Sequence, residues 1–79
     1  MIRLKNINKN GNTITCEAYV EDCRESIQLE FNITKQTLSA EPLPKGYEYC
    51  KMHITHARRH LEKMAETGEI PPERLIMWY

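Results

Sequence analysis

Residues 12–33, NTITCEAYVEDCRESIQLEFNI, decide the fold. Ile14, Cys16, Ala18 and Val20 alternate with Thr13, Thr15, Glu17 and Tyr19. Ile27, Leu29, Phe31 and Ile33 alternate with Ser26, Gln28, Glu30 and Asn32. A period of two with polar side chains on one side predicts strands that bury one face. A four-residue loop at Glu21-Asp22-Cys23-Arg24 pairs Val20 with Glu25, Ala18 with Ile27, Cys16 with Leu29 and Ile14 with Phe31. The apolar positions of both strands then share a face.

Upstream, residues 2–7 predict a weaker strand with Ile2 and Leu4 as its apolar positions, and Asn10-Gly11 marks a hairpin turn. Face parity limits that turn. A two-residue loop would set Leu4 opposite Glu17 and Ile2 opposite Tyr19, on the polar side. A three-residue loop, Lys9-Asn10-Gly11, pairs Leu4 with Cys16 and Ile2 with Ala18 and sets Arg3 opposite Glu17. A slip of one residue moves every side chain to the other face, so the three-residue loop is expected. Ile7 would then lie on the outer face.

Downstream, residues 34–46 contain Pro42, Pro44 and Gly46 and read as a connection, pinned by Leu38 and Leu43. The period then changes. Tyr47, Cys50, Ile54, Ala57, Leu61 and Met64 recur at spacings of three and four, which predicts an amphipathic helix over residues 47–67. Glu48 suits its start, Lys63 its end, Gly68 a left-handed C-cap, and Pro71-Pro72 a stop. The apolar run in ERLIMWY, residues 73–79, is expected as a short strand beside the first one and parallel to it. The fold class is α+β: a three-stranded antiparallel meander packed on one long helix, with a short C-terminal fourth strand. Residues 1–79 form one domain.

Composition excludes several classes. Eleven basic and eleven acidic residues leave no net charge, against an extensively basic nucleic-acid binder. No run approaches the apolar length of a membrane span. MIRLKNINKNGN, the first twelve residues, has no apolar stretch of the kind a secretory leader carries. Three cysteines without framework spacing suit reduced thiols and a cytoplasmic setting.

The residues that could carry chemistry are few. Cys50 and His53 have a spacing that metal sites use, but Cys16 or Cys23 would have to approach from the sheet to complete a set. We expect core packing there and no cofactor. His56 and His60 share a helix face but enclose Ala57, Arg58 and Arg59 rather than a metalloprotease glutamate. Cys23 is expected as an exposed turn thiol, kept quiet as a nucleophile by Glu21, Asp22 and Glu25. No glycine-rich phosphate loop is present, and no enzymatic role is expected.

Two surfaces remain. An edge strand ending in Leu75, Met77, Trp78 and Tyr79 offers the aromatic and methionine anchors typical of protein interfaces, with Tyr47 and Tyr49 as extensions of the same patch. The expected role is therefore a small non-enzymatic protein-interaction module, whose partner is another protein or a second copy. The alternative is nucleic-acid binding through Lys51, Arg58, Arg59 and Lys63 on the basic helix, residues 51–63, beside His56 and His60.

Overall fold

The computed structural model describes residues 1–78. Five strands and one helix follow in chain order: β1 (Ile2–Asn10), β2 (Thr13–Val20), β3 (Ile27–Asn32), β4 (Thr37–Ala40), α1 (Lys51–Thr67) and β5 (Arg74–Ile76). One antiparallel sheet, in the order β4-β3-β2-β1-β5, packs a single face against α1. The α+β class stands, with one strand more than the sequence suggested.

The β2–β3 ladder has the expected register: Ala18 opposite Ile27, Cys16 opposite Leu29 and Ile14 opposite Phe31. Val20 and Glu25 lie outside that ladder, because the connection runs on to residue 26. These alternating residues supply seven of the sixteen buried apolar residues among those described, with Phe31, Ile14 and Leu29 fully enclosed.

The first hairpin corrects the expected loop. Its loop is the two-residue Gly11-Asn12, with Asn10 opposite Thr13 and Gly11 at φ 62°. Glycine at the first loop position supplies the positive φ that a tight hairpin demands. That register sets Ile7 opposite Cys16 on the buried side, but carried on unchanged it would put Leu4 and Ile2 on the wrong face. A bulge between Lys5 and Asn8 removes the conflict: Asn6 and Ile7 together face Cys16. Beyond it Leu4 pairs with Ala18 and Ile2 with Val20. Asn6 sits at φ 51°, a conformation asparagine tolerates better than most residues. Ile7 is consequently buried rather than outward-facing, and Arg3 lies opposite Tyr19 rather than Glu17.

Residues 34–46 are not simply a connection. The chain turns at residues 33–36, with Gln36 at φ 56°, and pairs back on β3 as β4. This added hairpin delivers the chain to the opposite end of the sheet from the one expected. The helix therefore runs the other way, and β5 lies beside β1 as anticipated but antiparallel to it, not parallel.

The helix also begins later than predicted. Turns close Tyr47 N–H onto Pro44 O (2.9 Å) and Cys50 N–H onto Tyr47 O (2.9 Å) before α1 starts. Glu48 accepts from Gly46 N–H (2.7 Å) instead of serving the helix dipole, and the first turn holds no acidic residue. Lys63 falls just ahead of the last turn, which holds no basic residue. At the other end Gly68, φ 78°, caps the helix through its N–H to Met64 O (2.8 Å). Ala57, Leu61 and Met64 seat on the sheet together with Cys50.

Asn6→Val should destabilise the domain by about 1–2 kcal/mol, because a β-branched residue resists positive φ, whereas Asn6→Gly should stay within about 0.5 kcal/mol of the parent. Urea denaturation of the two variants measures both.

Candidate functional site

The C-terminal edge is built outward from β1. Ile76 pairs with Ile2 and is buried, which fixes the inward face of β5. Leu75 and Met77 remain 54% and 57% exposed. Antiparallel pairing alternates bonded and non-bonded pairs. Glu21 N–H donates to Met1 O, so Met1 and, in the strand, Arg3 and Lys5 bond toward β2, and Ile2 and Leu4 bond toward β5. The N–H and C=O of Leu75, opposite Arg3, therefore face the open edge.

Trp78 does not project as a free anchor. Its ring stacks on His56, with centroids 4.2 Å apart and 15° between planes, and meets His53 edge-on at 4.7 Å. Half-buried, it closes the space between the last strand and the start of α1. The exposed Met52 lies one helical turn before His56, and Tyr49 is also exposed just ahead of the helix. The exposed apolar side chains of the edge are thus Leu75 and Met77, and those at the start of the helix are Met52 and Tyr49. Tyr79, also expected in this interface, lies outside the described residues.

Under Trp78 lies a polar cluster that the sequence did not reveal. His53 Nε2 is 2.6 Å from Glu21 Oε2, and the same carboxylate meets the Met1 ammonium. Glu21 adopts φ 49°, which turns its side chain from the end of β2 toward the helix. Tyr47 OH donates to Asp22 Oδ1 (2.8 Å), and this bond drives the phenol up to about 12. With Nε2–H donating to Glu21, His53 Nδ1 is buried without a partner among the described residues. A charged pair in two consecutive turn residues, Glu21-Asp22, gave no sign of which side chain would reach α1.

Cys50 stands one turn before His53, a combination that elsewhere makes a thiolate nucleophile. Here it is sealed: Cys50 is 0% exposed and burial pushes its thiol pKa upward. Burial likewise drives Cys16 up to about 12. Cys23 is buried too, not exposed as expected, and its thiol faces Glu25 O at 3.6 Å. Among the described residues no group of three histidine, cysteine or acidic side chains is placed to hold a metal ion.

The four basic residues of α1 are all exposed but do not make one patch. At 100° per residue, Lys51 and Arg58 point within about 20° of one another, whereas Arg59 and Lys63 point roughly 100° away. Lys51 and Arg58 flank a groove beside β4, and Lys63 lies near Arg74 of β5. Arg58 is also engaged, donating to Glu62 (2.9 Å) and Gln36 O (2.7 Å). On the outer sheet face, Arg3 and Lys5 lie over the Tyr19 ring at 5.4 and 5.6 Å.

No family model, no curated protein and no solved structure matches this chain at a significant level. Among the described residues no helix is long and apolar enough to cross a membrane.

Two measurements check this end of the molecule. The three buried thiols should resist an aqueous alkylating reagent at neutral pH and react once the chain is denatured, as mass spectrometry will show. Rapid native labelling of Cys50 would reopen the nucleophile reading. His60 is held below the usual histidine range by burial, then by Arg74, His56 and Lys63. The unfolded chain therefore binds the extra proton first, and stability falls as pH drops below about 6.5. His60→Gln should flatten that part of the Tm profile relative to the parent.

Proposed function

We propose that this chain is a small non-enzymatic protein-interaction module that uses its C-terminal edge, and that it pairs with a second copy of itself there. The observation that carries this reading is the exposure of Leu75 and Met77 on a sheet edge whose Leu75 backbone groups face outward. Large apolar side chains beside unsatisfied strand groups favour strand-to-strand association. An antiparallel edge strand is self-complementary across a two-fold axis, so the same patch serves both copies. Three residues of strand give few main-chain bonds. Side-chain burial by Leu75 and Met77 must therefore supply most of the contact.

A non-enzymatic role is supported by the sealing of Cys50 beside His53. A cytoplasmic setting is supported by three buried cysteines that are all unpaired. The phosphate-binding alternative draws less support, because Lys51 and Arg58 diverge from Arg59 and Lys63.

Sedimentation equilibrium over a range of concentrations tests the proposal. The expected mass rises from one chain toward two, and Leu75→Lys returns it to one without altering the circular dichroism. A single-chain mass throughout would overturn self-pairing, and a dimer indifferent to Leu75→Lys would place the interface elsewhere.

A further inference from the structure

The opposite edge of the sheet carries a second surface, independent of the β5 edge. A groove of about 430 Å³ runs between β4 with the segment after it and the first half of α1. Leu38, Leu43 and Ile54 form its apolar floor, and Lys51, Thr55 and Arg58 line the helix side. We propose that this groove takes an extended acidic peptide, which adds to β4 as a sixth strand and places alternate side chains against α1.

The backbone of β4 is arranged for this. Glu41 N–H donates to Gln28 O (3.1 Å), which makes Gln28 and Glu41 a bonded pair. Alternation then makes Glu30–Ser39 and Asn32–Thr37 bonded pairs, and Leu29–Ala40 and Phe31–Leu38 non-bonded ones. The N–H and C=O of Leu38 and Ala40 thus point away from β3, toward the open edge. An incoming strand can bond to both residues. Side chains directly opposite one another share a face, and Leu38 packs toward the core under α1. The peptide residue opposite Leu38 or Ala40 is therefore directed to the helix side, over the apolar floor.

The charge at the groove selects the peptide. Lys51 forms no ion pair among the described residues. Arg58 spends two of its five N–H donors on Glu62 and Gln36 O, which hold it at the far end of the groove with three donors left. Glu41 is the acidic member of the lining, and its Oε1 is turned onto Gln28 N–H (2.6 Å). Lys51 and Arg58 lie about 10 Å apart along the helix axis. Same-face residues at either end of a five-residue strand segment are about 13 Å apart, a difference two long basic side chains can span. The matching sequence has an apolar residue at its centre and a carboxylate two positions to each side.

The test uses the whole chain, isotope-labelled, and a short acetylated and amidated peptide with glutamate, valine and glutamate at alternate positions. On titration, amide shifts are expected at Leu38, Ser39, Ala40, Leu43, Lys51, Ile54 and Arg58, with slowed hydrogen exchange at the Leu38 and Ala40 amides. Methylation of the peptide amides that pair with β4 should abolish these effects. The double reversal Lys51→Glu with Arg58→Glu should weaken the acidic peptide by up to about tenfold, two exposed ion pairs being lost, and should bring in a peptide with lysine in place of glutamate. Leu75→Lys should leave binding unchanged, which separates this groove from the self-pairing edge. Equal binding of the acidic and lysine peptides by the parent chain would overturn the proposal. So would shifts centred on Leu75 and Met77, an absence of shifts, or the same response to a single-stranded oligonucleotide of equal charge.

Discussion

The bulge at Asn6 and Ile7 is the constraint on which the sheet depends. The Gly11-Asn12 turn fixes one register at the top of the first hairpin, and that register buries Ile7 but would send Leu4 and Ile2 to the polar face. One extra residue opposite Cys16 reverses the parity beyond it, so that Leu4 and Ile2 join Ile7 on the buried side. β1 lies between β2 and β5. Had its parity stayed wrong, Ile76 would have no apolar neighbour in Ile2, and α1 would cover a sheet with a polar strand across it. Positive φ at Asn6 is a small local strain set against burial of two aliphatic side chains, Ile2 and Leu4, each worth about 2 kcal/mol. The burial is the larger effect.

The sequence patterns were legible where burial alternates strictly. The β2–β3 ladder could be read residue by residue, because Ile14, Cys16, Ala18, Ile27, Leu29 and Phe31 leave one register that buries them all. The parity problem in β1 was legible too, and so was the need for one extra residue. Its position was not, because a loop and a bulge meet the same demand. Ile7, odd-numbered after even-numbered Ile2 and Leu4, was the sign pointing to the strand rather than the loop.

β4 carries no legible pattern, for a different reason. TLSA contributes one large apolar side chain, too little for a periodic signal, and its pairing rests on backbone bonds to β3. The position of this strand governs everything after it. An added antiparallel strand inverts the end from which the helix departs, which inverts β5 in turn. The edge that β5 occupies was nevertheless readable, since ERLIMWY carries the one remaining dense apolar run. The site residues followed the same division. Exposure of Leu75 and Met77 follows from strand alternation. The inward turn of Trp78 onto His53 and His56 depends on helix polarity, and so could not be inferred before β4 was known.

The two edges of the sheet manage their unpaired backbone differently. β5 is three residues long, and Pro71 and Pro72 ahead of it remove donors from its upper approach. It therefore presents little main chain and relies on apolar side chains. β4 offers two outward-facing residues over four positions, and it is the edge with a helix standing beside it, carrying Lys51 and Arg58. A cationic rim discourages a second copy of the same basic helix face and admits an acidic strand. A basic helix in a chain of zero net charge then has a structural meaning. Total charge says nothing about recognition here, because the positive groups that count are the two that the topology sets along an open strand.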